Sequence, residues 1–165
     1  MRPETYTFDD DGGIPNSRLP VLVYSGVVDG DAGAGVYEEL FAGHGWLGAW
    51  RDGIYPFHHF HSTAHEVLGI AAGRAEVMLG GPGGQRFELR AGDVVVLPAG
   101  TGHRNLGSSP DLLVVGAYPN GMDWDLRRGD PAEHDEVLAN IGRVPLPDQD
   151  PVRGEGGPLV EIWGR

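Results

Sequence analysis

Short apolar runs rich in valine, isoleucine and leucine recur through the middle of the chain, and turns rich in glycine and proline separate them. Runs of this length between turn signals are typical of buried β-strands. A strand bearing histidines is also expected at residues 57–61, where aromatic and histidine residues alternate. The pattern predicts further strands at Leu19–Val28, Glu66–Ala72, Arg74–Leu79, Gln85–Arg90, Val94–Leu97, His103–Leu106, Asp111–Tyr118 and Leu159–Trp163, while Trp46–Ile54 leads into the histidine strand.

Two segments have apolar residues at helical spacing instead. Ala34–Gly43 is predicted to be one short helix that ends at its final glycine. Pro131–Ile141 is predicted to be a second helix, because Asp130 is a good N-cap and a proline fits the first helical position. The polar residues 1–18 are expected to form an arm that lies over the rest of the chain.

Many short strands joined by tight turns indicate an all-β barrel or sandwich. No internal repeat or linker divides the chain, so we expect one domain over residues 1–165. Its barrel core would be residues 51–118, between an arm, strand and helix in 1–50 and a helix, loop and strand in 119–165.

Composition excludes several function classes. The net charge of −12 argues against nucleic-acid and anionic-membrane partners. The chain has no cysteine, which excludes disulfides, thiolate nucleophiles and iron–sulfur clusters, and no lysine, which excludes a Schiff base. The first residues are acidic and contain no apolar signal region, so we expect a soluble cytoplasmic protein.

A cluster of histidines is the strongest chemical signal. His59 and His61 are two residues apart, and on an extended strand both would face the same side. Glu66 begins the next predicted strand and can complete a mixed nitrogen and oxygen metal site.

Two blocks of fixed spacing surround these residues. In the first, five residues separate Gly53 from His59, one separates His59 from His61, four precede Glu66, and six more lead to a glycine at position 73. The second block runs G-x5-P-x-G-x2-H from Gly92 to His103. These blocks resemble the two cupin motifs, except that the final asparagine of the second motif is a glycine at position 107. The flanking segments IPNSRLPVLVY and EGGPLVEIW are similar to the YjlB-like group of single-domain bacterial cupins.

The resemblance implies a double-stranded β-helix (a jelly-roll barrel) with one or two short peripheral helices. It also implies one divalent metal ion held by His59, His61, Glu66 and His103. Such a ligand set suits Fe, Mn, Ni, Co, Cu or Zn, and an octahedral ion would keep two positions for other ligands. Within this site, Asn105 is expected to orient a substrate or a water molecule, because it lies two residues after His103 and would face the same interior.

Some alternatives stay open for these residues. The metal site could be vestigial. His65 could lie behind the ligands, replace Glu66 as a ligand or transfer a proton. His61 and His65 also have the spacing of a helical zinc site, but the alternating aromatic residues favour a strand. A zinc metalloprotease motif is incomplete, because position 69 is glycine rather than histidine.

Three functions remain. The leading hypothesis is a metal-dependent enzyme that acts on a small-molecule substrate. Within that class we favour a dioxygenase-like oxidoreductase in which Glu66 remains a ligand or acts as a base. The second is an isomerase or lyase in which His65 or Tyr118 moves a proton. The third is a binding module without catalysis. We also expect a homodimer, with Leu19–Val28 and Leu159–Trp163 as the strands available for pairing.

Overall fold

The computed structural model describes residues 2–164 as a mainly β structure with two sheets and short helices. Its strands are β1 Glu4–Tyr6, β2 Val21–Tyr24, β3 Trp46–Asp52, β4 Glu66–Ala72, β5 Arg74–Leu79, β6 Gln85–Arg90, β7 Val94–Leu97, β8 His103–Ser108 and β9 Leu113–Pro119. The helices are α1 Ala34–Gly43, α2 His134–Arg143 and α3 Pro158–Trp163. None of the helices among residues 2–164 has the length and hydropathy that a membrane crossing requires.

The two sheets form the jelly-roll barrel of a double-stranded β-helix. One sheet has six strands in the order β1-β2-β7-β4-β9-β3, and the other has three in the order β6-β5-β8. All the strand pairs are antiparallel. Strands that are neighbours in a sheet are often far apart in the sequence. The two histidine-bearing segments therefore meet although they are far apart in the chain.

The inner strands of the six-stranded sheet are buried on both faces. Alternate residues such as Leu68 and Val95 point between the sheets and pack against Val77 of β5. Their neighbours Val67 and Val96 point the other way, against α1 and α3. Because both faces are covered, β4 and β7 consist almost wholly of buried residues, and this explains why their sequences are continuous apolar runs.

The C-terminal prediction is wrong, because Leu159–Trp163 lies in helix α3 rather than in a strand. Pro158 occupies the start of the helix, where its missing N–H costs nothing. Leu159 and Trp163 are four residues apart, so they share one helical face, and both side chains are buried in the core. This apolar pair is the packing face of a helix.

The first predicted strand is longer than the strand in the structure. Only Val21–Tyr24 of the expected Leu19–Val28 strand is in the sheet. This strand pairs with β1 on one side and β7 on the other, so it offers no free edge to a second copy. The homodimer stays a prediction, but neither segment expected to mediate it is an unpaired strand.

The N-terminal arm contains β1 and then crosses one end of the barrel. The Asn16 side chain donates to the carbonyl oxygen of Gly80 (3.0 Å) and accepts from the amide of Gly102 (3.1 Å). Asn16 therefore links the arm to the turn that follows β5 and to the turn that precedes β8. The second predicted helix begins as expected, with the Asp130 carboxylate accepting from the Ala132 amide at the start of a 3-10 turn before α2.

Candidate metal centre

Each of the three histidines has one ring nitrogen fixed by a backbone carbonyl. The Nδ1 atoms of His59, His61 and His103 lie 2.9, 2.5 and 3.1 Å from the carbonyl oxygens of Phe57, Asp125 and Thr101, respectively. A carbonyl oxygen only accepts, so each Nδ1 carries the proton. Each Nε2 is therefore left with a free lone pair, which is the form of imidazole that binds a metal.

The Nε2 lone pairs converge in one place. All three imidazoles are buried, and their ligand atoms lie within 4.8 Å of one another. The Glu66 carboxylate completes the group, because its Oε1 atom is 3.4 Å from the Nε2 atoms of both His61 and His103. Three neutral nitrogens and one carboxylate oxygen fit a divalent transition metal in both number and chemical type.

Local backbone pairing brings these side chains together. His59 and His103 form an isolated antiparallel bridge, in which each amide donates to the other's carbonyl at 3.2 and 2.9 Å. The predicted strand at residues 57–61 is limited to this bridge and a second one between Phe60 and Arg127. The extended conformation still puts His59 and His61 on one side, as the alternation predicts. Glu66 is the first residue of β4.

A strap after β9, residues 120–128, holds His61 from outside. The Asp125 carbonyl accepts the His61 ring proton, while its carboxylate accepts from the amide (2.6 Å) and hydroxyl (2.5 Å) of Ser62 and from Arg127 (2.8 Å). Although burial raises the pKa of Asp125, these bonds hold it below its usual value. Asp125 is therefore a charged residue that connects the strap to the histidine segment.

The electrostatics of the cluster favour an ionised Glu66 carboxylate and a neutral His59 imidazole. Burial, followed by the proximity of His103, lowers the pKa of His59 to about 3. Burial also lowers the pKa of His61, but the Glu66 carboxylate outweighs it, so the pKa of His61 is raised overall. Burial raises the pKa of Glu66, yet His61 and His103 hold it well below its usual range. Glu66 is therefore ionised and suited to neutralise part of the charge of a cation.

A hydrogen-bonded chain fixes the second oxygen of Glu66. The Tyr118 hydroxyl donates to Glu66 Oε2 at 2.9 Å and accepts from the Trp50 indole N–H at 2.7 Å. Because the indole can only donate, the Tyr118 proton must go to the carboxylate. This leaves Glu66 Oε1 directed at the histidines. Burial and the nearby Glu66 charge raise the pKa of Tyr118, so it stays protonated.

The four residues lie at the inner end of a cavity of about 360 Å³, a volume typical of small-molecule sites. Its walls are mostly aromatic and apolar. Leu68 lines the cavity, whereas Ile70, Val77 and Leu79 pack in the core. The cavity is lined by Trp50, Arg51, Asp52, Gly53, Ile54, Tyr55, Pro56, His59, His61, Glu66, Leu68, His103, Tyr118 and Trp124.

Two residues with expected catalytic roles have other partners. Both ring nitrogens of His65 bond to the backbone, since Nδ1 accepts from the Ala99 amide (2.9 Å) and Nε2 donates to the Pro145 carbonyl (3.2 Å). The Asn105 side chain bonds within its own strand, to the Gly107 amide (2.8 Å) and the Ser108 hydroxyl (3.2 Å). Neither residue lines the cavity. Along the chain His65 looks like a neighbour of the ligand Glu66, but the alternation of β-structure turns it to the opposite side.

Sequence reasoning did not assign site roles to Trp50, Trp124 or Asp125. Trp50 becomes important only through the pairing of β3 with β9, which puts it opposite Gly116. Trp124 and Asp125 belong to a strap with no regular periodicity. One available signal was the segment NGMDWDLRRGD, which has three aspartates, two arginines and a tryptophan directly after the last strong strand.

Comparison with known proteins agrees with this architecture. A family profile described as "Cupin domain" matches residues 52–115, which include all four candidate ligands. The uncharacterized protein YjlB of Bacillus subtilis (strain 168) is 42% identical over 161 residues, covering 97% of this chain and 96% of the relative. The protein is a cupin of the YjlB group. In this cupin, the motif blocks are the segments that carry the histidine cluster.

More distant likenesses exist among solved structures. Acireductone dioxygenase from Bacillus anthracis, with cadmium in its active centre, is 18% identical with a TM-score of 0.38, over 55% of this chain and 60% of that one. The TDP-quinovose 3,4-ketoisomerase WlaRB from Campylobacter jejuni is 18% identical with a TM-score of 0.42, over 56% of this chain and 74% of that one. At this level of similarity the two structures say nothing about the reaction of this cupin.

Proposed function

We propose that this cupin is a metal-dependent enzyme acting on a small molecule, with dioxygenase-like oxidoreductase activity. The observation that carries the proposal is the convergence of three Nε2 lone pairs and the Glu66 carboxylate at the end of an accessible cavity. His59, His61, His103 and Glu66 would hold one divalent ion. A redox-active ion held there would supply a site at which substrate and dioxygen react.

The residues around the cluster support this function by orienting the ligands and excluding water. Three backbone carbonyls keep the imidazoles in one tautomer, and Tyr118 keeps Glu66 in one orientation. The apolar walls lower the local polarity, which protects reactive species from side reactions with water. The cavity remains open to solvent beside Tyr55 and Trp124, so a substrate can enter without a change of fold.

One observation favours an isomerase or lyase as the second candidate. The Tyr118 hydroxyl bonds to an ionised carboxylate inside the cavity, which provides a path for a proton between two side chains. In that reaction Tyr118 and Glu66 would exchange a proton with a substrate carbon next to a carbonyl. His65 has no part in this route, because both its ring nitrogens are already bonded to the backbone.

Oxygen consumption separates the two candidates. Metal-free protein is reconstituted in parallel with Fe²⁺, Mn²⁺, Ni²⁺, Co²⁺, Cu²⁺ or Zn²⁺ and mixed with a panel of oxygen-bearing small molecules. The proposal predicts oxygen uptake with at least one redox-active metal and none with Zn²⁺. Full turnover with Zn²⁺ in the absence of oxygen would reject the oxidoreductase and support the isomerase or lyase. Ligand binding with no turnover under any condition would leave a binding module.

A further inference from the structure

Two half-exposed aromatic side chains flank the histidine cluster. Tyr55 and Trp124 are 47% and 46% exposed, although large aromatic rings are generally buried. Both line the cavity. The Tyr55 ring stands edge-on to His59, with centroids 5.2 Å apart, and the Trp124 ring stands in the same relation to His61 at 5.2 Å. An aromatic surface therefore lies beside the metal centre at two points.

Both rings are held in place by further aromatic contacts. Tyr55 stacks on Phe57 at 4.9 Å, and Phe57 is covered in turn by the Arg128 guanidinium at 3.9 Å from its centroid. Trp124 stacks on Tyr118 at 6.0 Å, nearly parallel. These contacts already hold the two rings in position. Less side-chain freedom is therefore lost when a ligand ring stacks on them, and this favours binding.

The cavity offers no matching site for an anionic substituent. Among the lining residues of the described chain, 2–164, Arg51 is the only arginine or lysine. Its guanidinium makes a two-pronged ion pair with Glu38 of α1, at 3.0 and 2.6 Å, so it is already neutralised. Asp52 and Glu66 add negative charge to the walls. A substrate with several carboxylates would meet repulsion here without a compensating cation beyond the metal.

We infer that the substrate is a compact aromatic compound with one metal-binding oxygen-donor group and no further anionic substituent, whose ring packs against Trp124 and Tyr55 while its oxygen atoms face the histidine cluster. This inference rests on the proposed function, because the oxygen donors need a metal ion to bind. Trp124 and Tyr55 then act as specificity-determining residues that favour an aromatic ring over a small aliphatic group.

A pair of matched probes tests the inference. Benzohydroxamic acid and acetohydroxamic acid carry the same oxygen-donor group and differ by a phenyl ring in place of a methyl group. Their affinities for the metal-loaded protein are measured by isothermal titration calorimetry. We expect benzohydroxamic acid to bind about tenfold more tightly or better, the effect of one good aromatic contact together with burial of the ring.

Variants assign the preference to the two rings. Trp124→Ala and Tyr55→Ala are each expected to remove most of the preference for benzohydroxamic acid while leaving the affinity for acetohydroxamic acid nearly unchanged. Trp124→Leu repeats the test with an apolar side chain that keeps the strap covered. Leu126→Ala is the matched control, since Leu126 lies on the same strap, is 40% exposed and does not line the cavity.

The outcomes separate this inference from the proposed function. Metal-loaded protein that binds both probes equally, binds neither, or keeps its preference in both alanine variants would overturn the aromatic substrate class alone. Protein whose metal analysis shows no uptake after reconstitution would overturn the proposed function and this inference together.

Discussion

At the scale of single residues, the candidate site is defined by hydrogen bonds behind the ligands. The three imidazoles bond to carbonyls, and Glu66 bonds to Tyr118, so each ligand is oriented by an atom that would not touch the metal. Such partners control metal affinity almost as strongly as the ligands themselves. If the cluster is a metal centre, substitution of these partners lowers its metal affinity. In a cluster of buried histidines that binds no metal, the same substitutions have no such effect.

Tyr118→Phe tests the orientation of Glu66. The substitution keeps the ring but removes the hydroxyl that donates to Oε2, leaving the carboxylate free to turn. We expect metal affinity to fall about tenfold or more, measured by competition with a chromogenic chelator. Tyr6→Phe is the control, because the Tyr6 ring packs on Phe87, away from the cavity, and its hydroxyl bonds Glu4. Equal affinities in both variants would show that Tyr118 does not position the ligand.

His65→Leu tests whether His65 is structural. The change leaves the buried Ala99 amide without its partner, which costs roughly 1–3 kcal/mol of the free energy of unfolding. Metal stoichiometry is expected to stay at the wild-type value, because neither ring nitrogen is free to bind. Urea denaturation gives the first quantity and elemental analysis the second. A variant that is as stable as the wild type but has lost its metal would make His65 a ligand.

At the scale of elements, glycines allow two close contacts that shape the site. A Cβ atom on Gly116 would lie 2.2 Å from the Trp50 ring, and one on Gly69 would lie 2.4 Å from the Tyr37 ring. Gly116 therefore lets Trp50 of β3 lie flat over β9 and reach Tyr118, while Gly69 lets α1 pack closely on β4. The position that breaks the metalloprotease motif thus has a packing reason for being glycine.

Gly116→Ala is expected to push Trp50 away from Tyr118. Overpacking of this kind costs about 1–3 kcal/mol of stability, and loss of the Trp50 hydrogen bond should also weaken metal binding. Gly107→Ala is the matched control on β8, because a Cβ atom there meets nothing within 4 Å. Both are measured by urea denaturation and chelator competition. Gly116→Ala behaving like the control would mean that β3 can move without disturbing the site.

The limits of many strands and helices were predictable, because the burial of their side chains determines where apolar residues occur in the sequence. The limits of α1, β4, β5, β6 and β7 follow directly from apolar periodicity and turn residues. The prediction failed at Leu159–Trp163, where five apolar and acidic residues fit a strand or a helix equally well until the proline before them is weighed. The strap was equally hard to predict, because its structure comes from Asp125 and Ser62, far apart in sequence, rather than from local preference.

At the scale of the whole molecule, the barrel brings distant segments to one end and leaves a cavity there. The four candidate ligand residues were predicted from the sequence, because the two blocks keep the intervals of the cupin motifs. Their partners could not be predicted in this way, because Trp50, Tyr118 and Trp124 meet only through the order of the strands in the folded sheet. The proposed function therefore depends on whether the histidine cluster and Glu66 bind a metal ion.

The metal content of the protein tests most directly whether this site binds a metal ion. Tag-free wild-type protein, a His59→Ala/His61→Ala double variant and a His44→Ala/His134→Ala control are analysed by inductively coupled plasma mass spectrometry after reconstitution. The control removes the same number of histidines from outside the cavity. The account predicts about one divalent ion per chain in the wild type and the control, and almost none in the first variant. A wild type without metal, or a first variant that retains it, would contradict the metal centre.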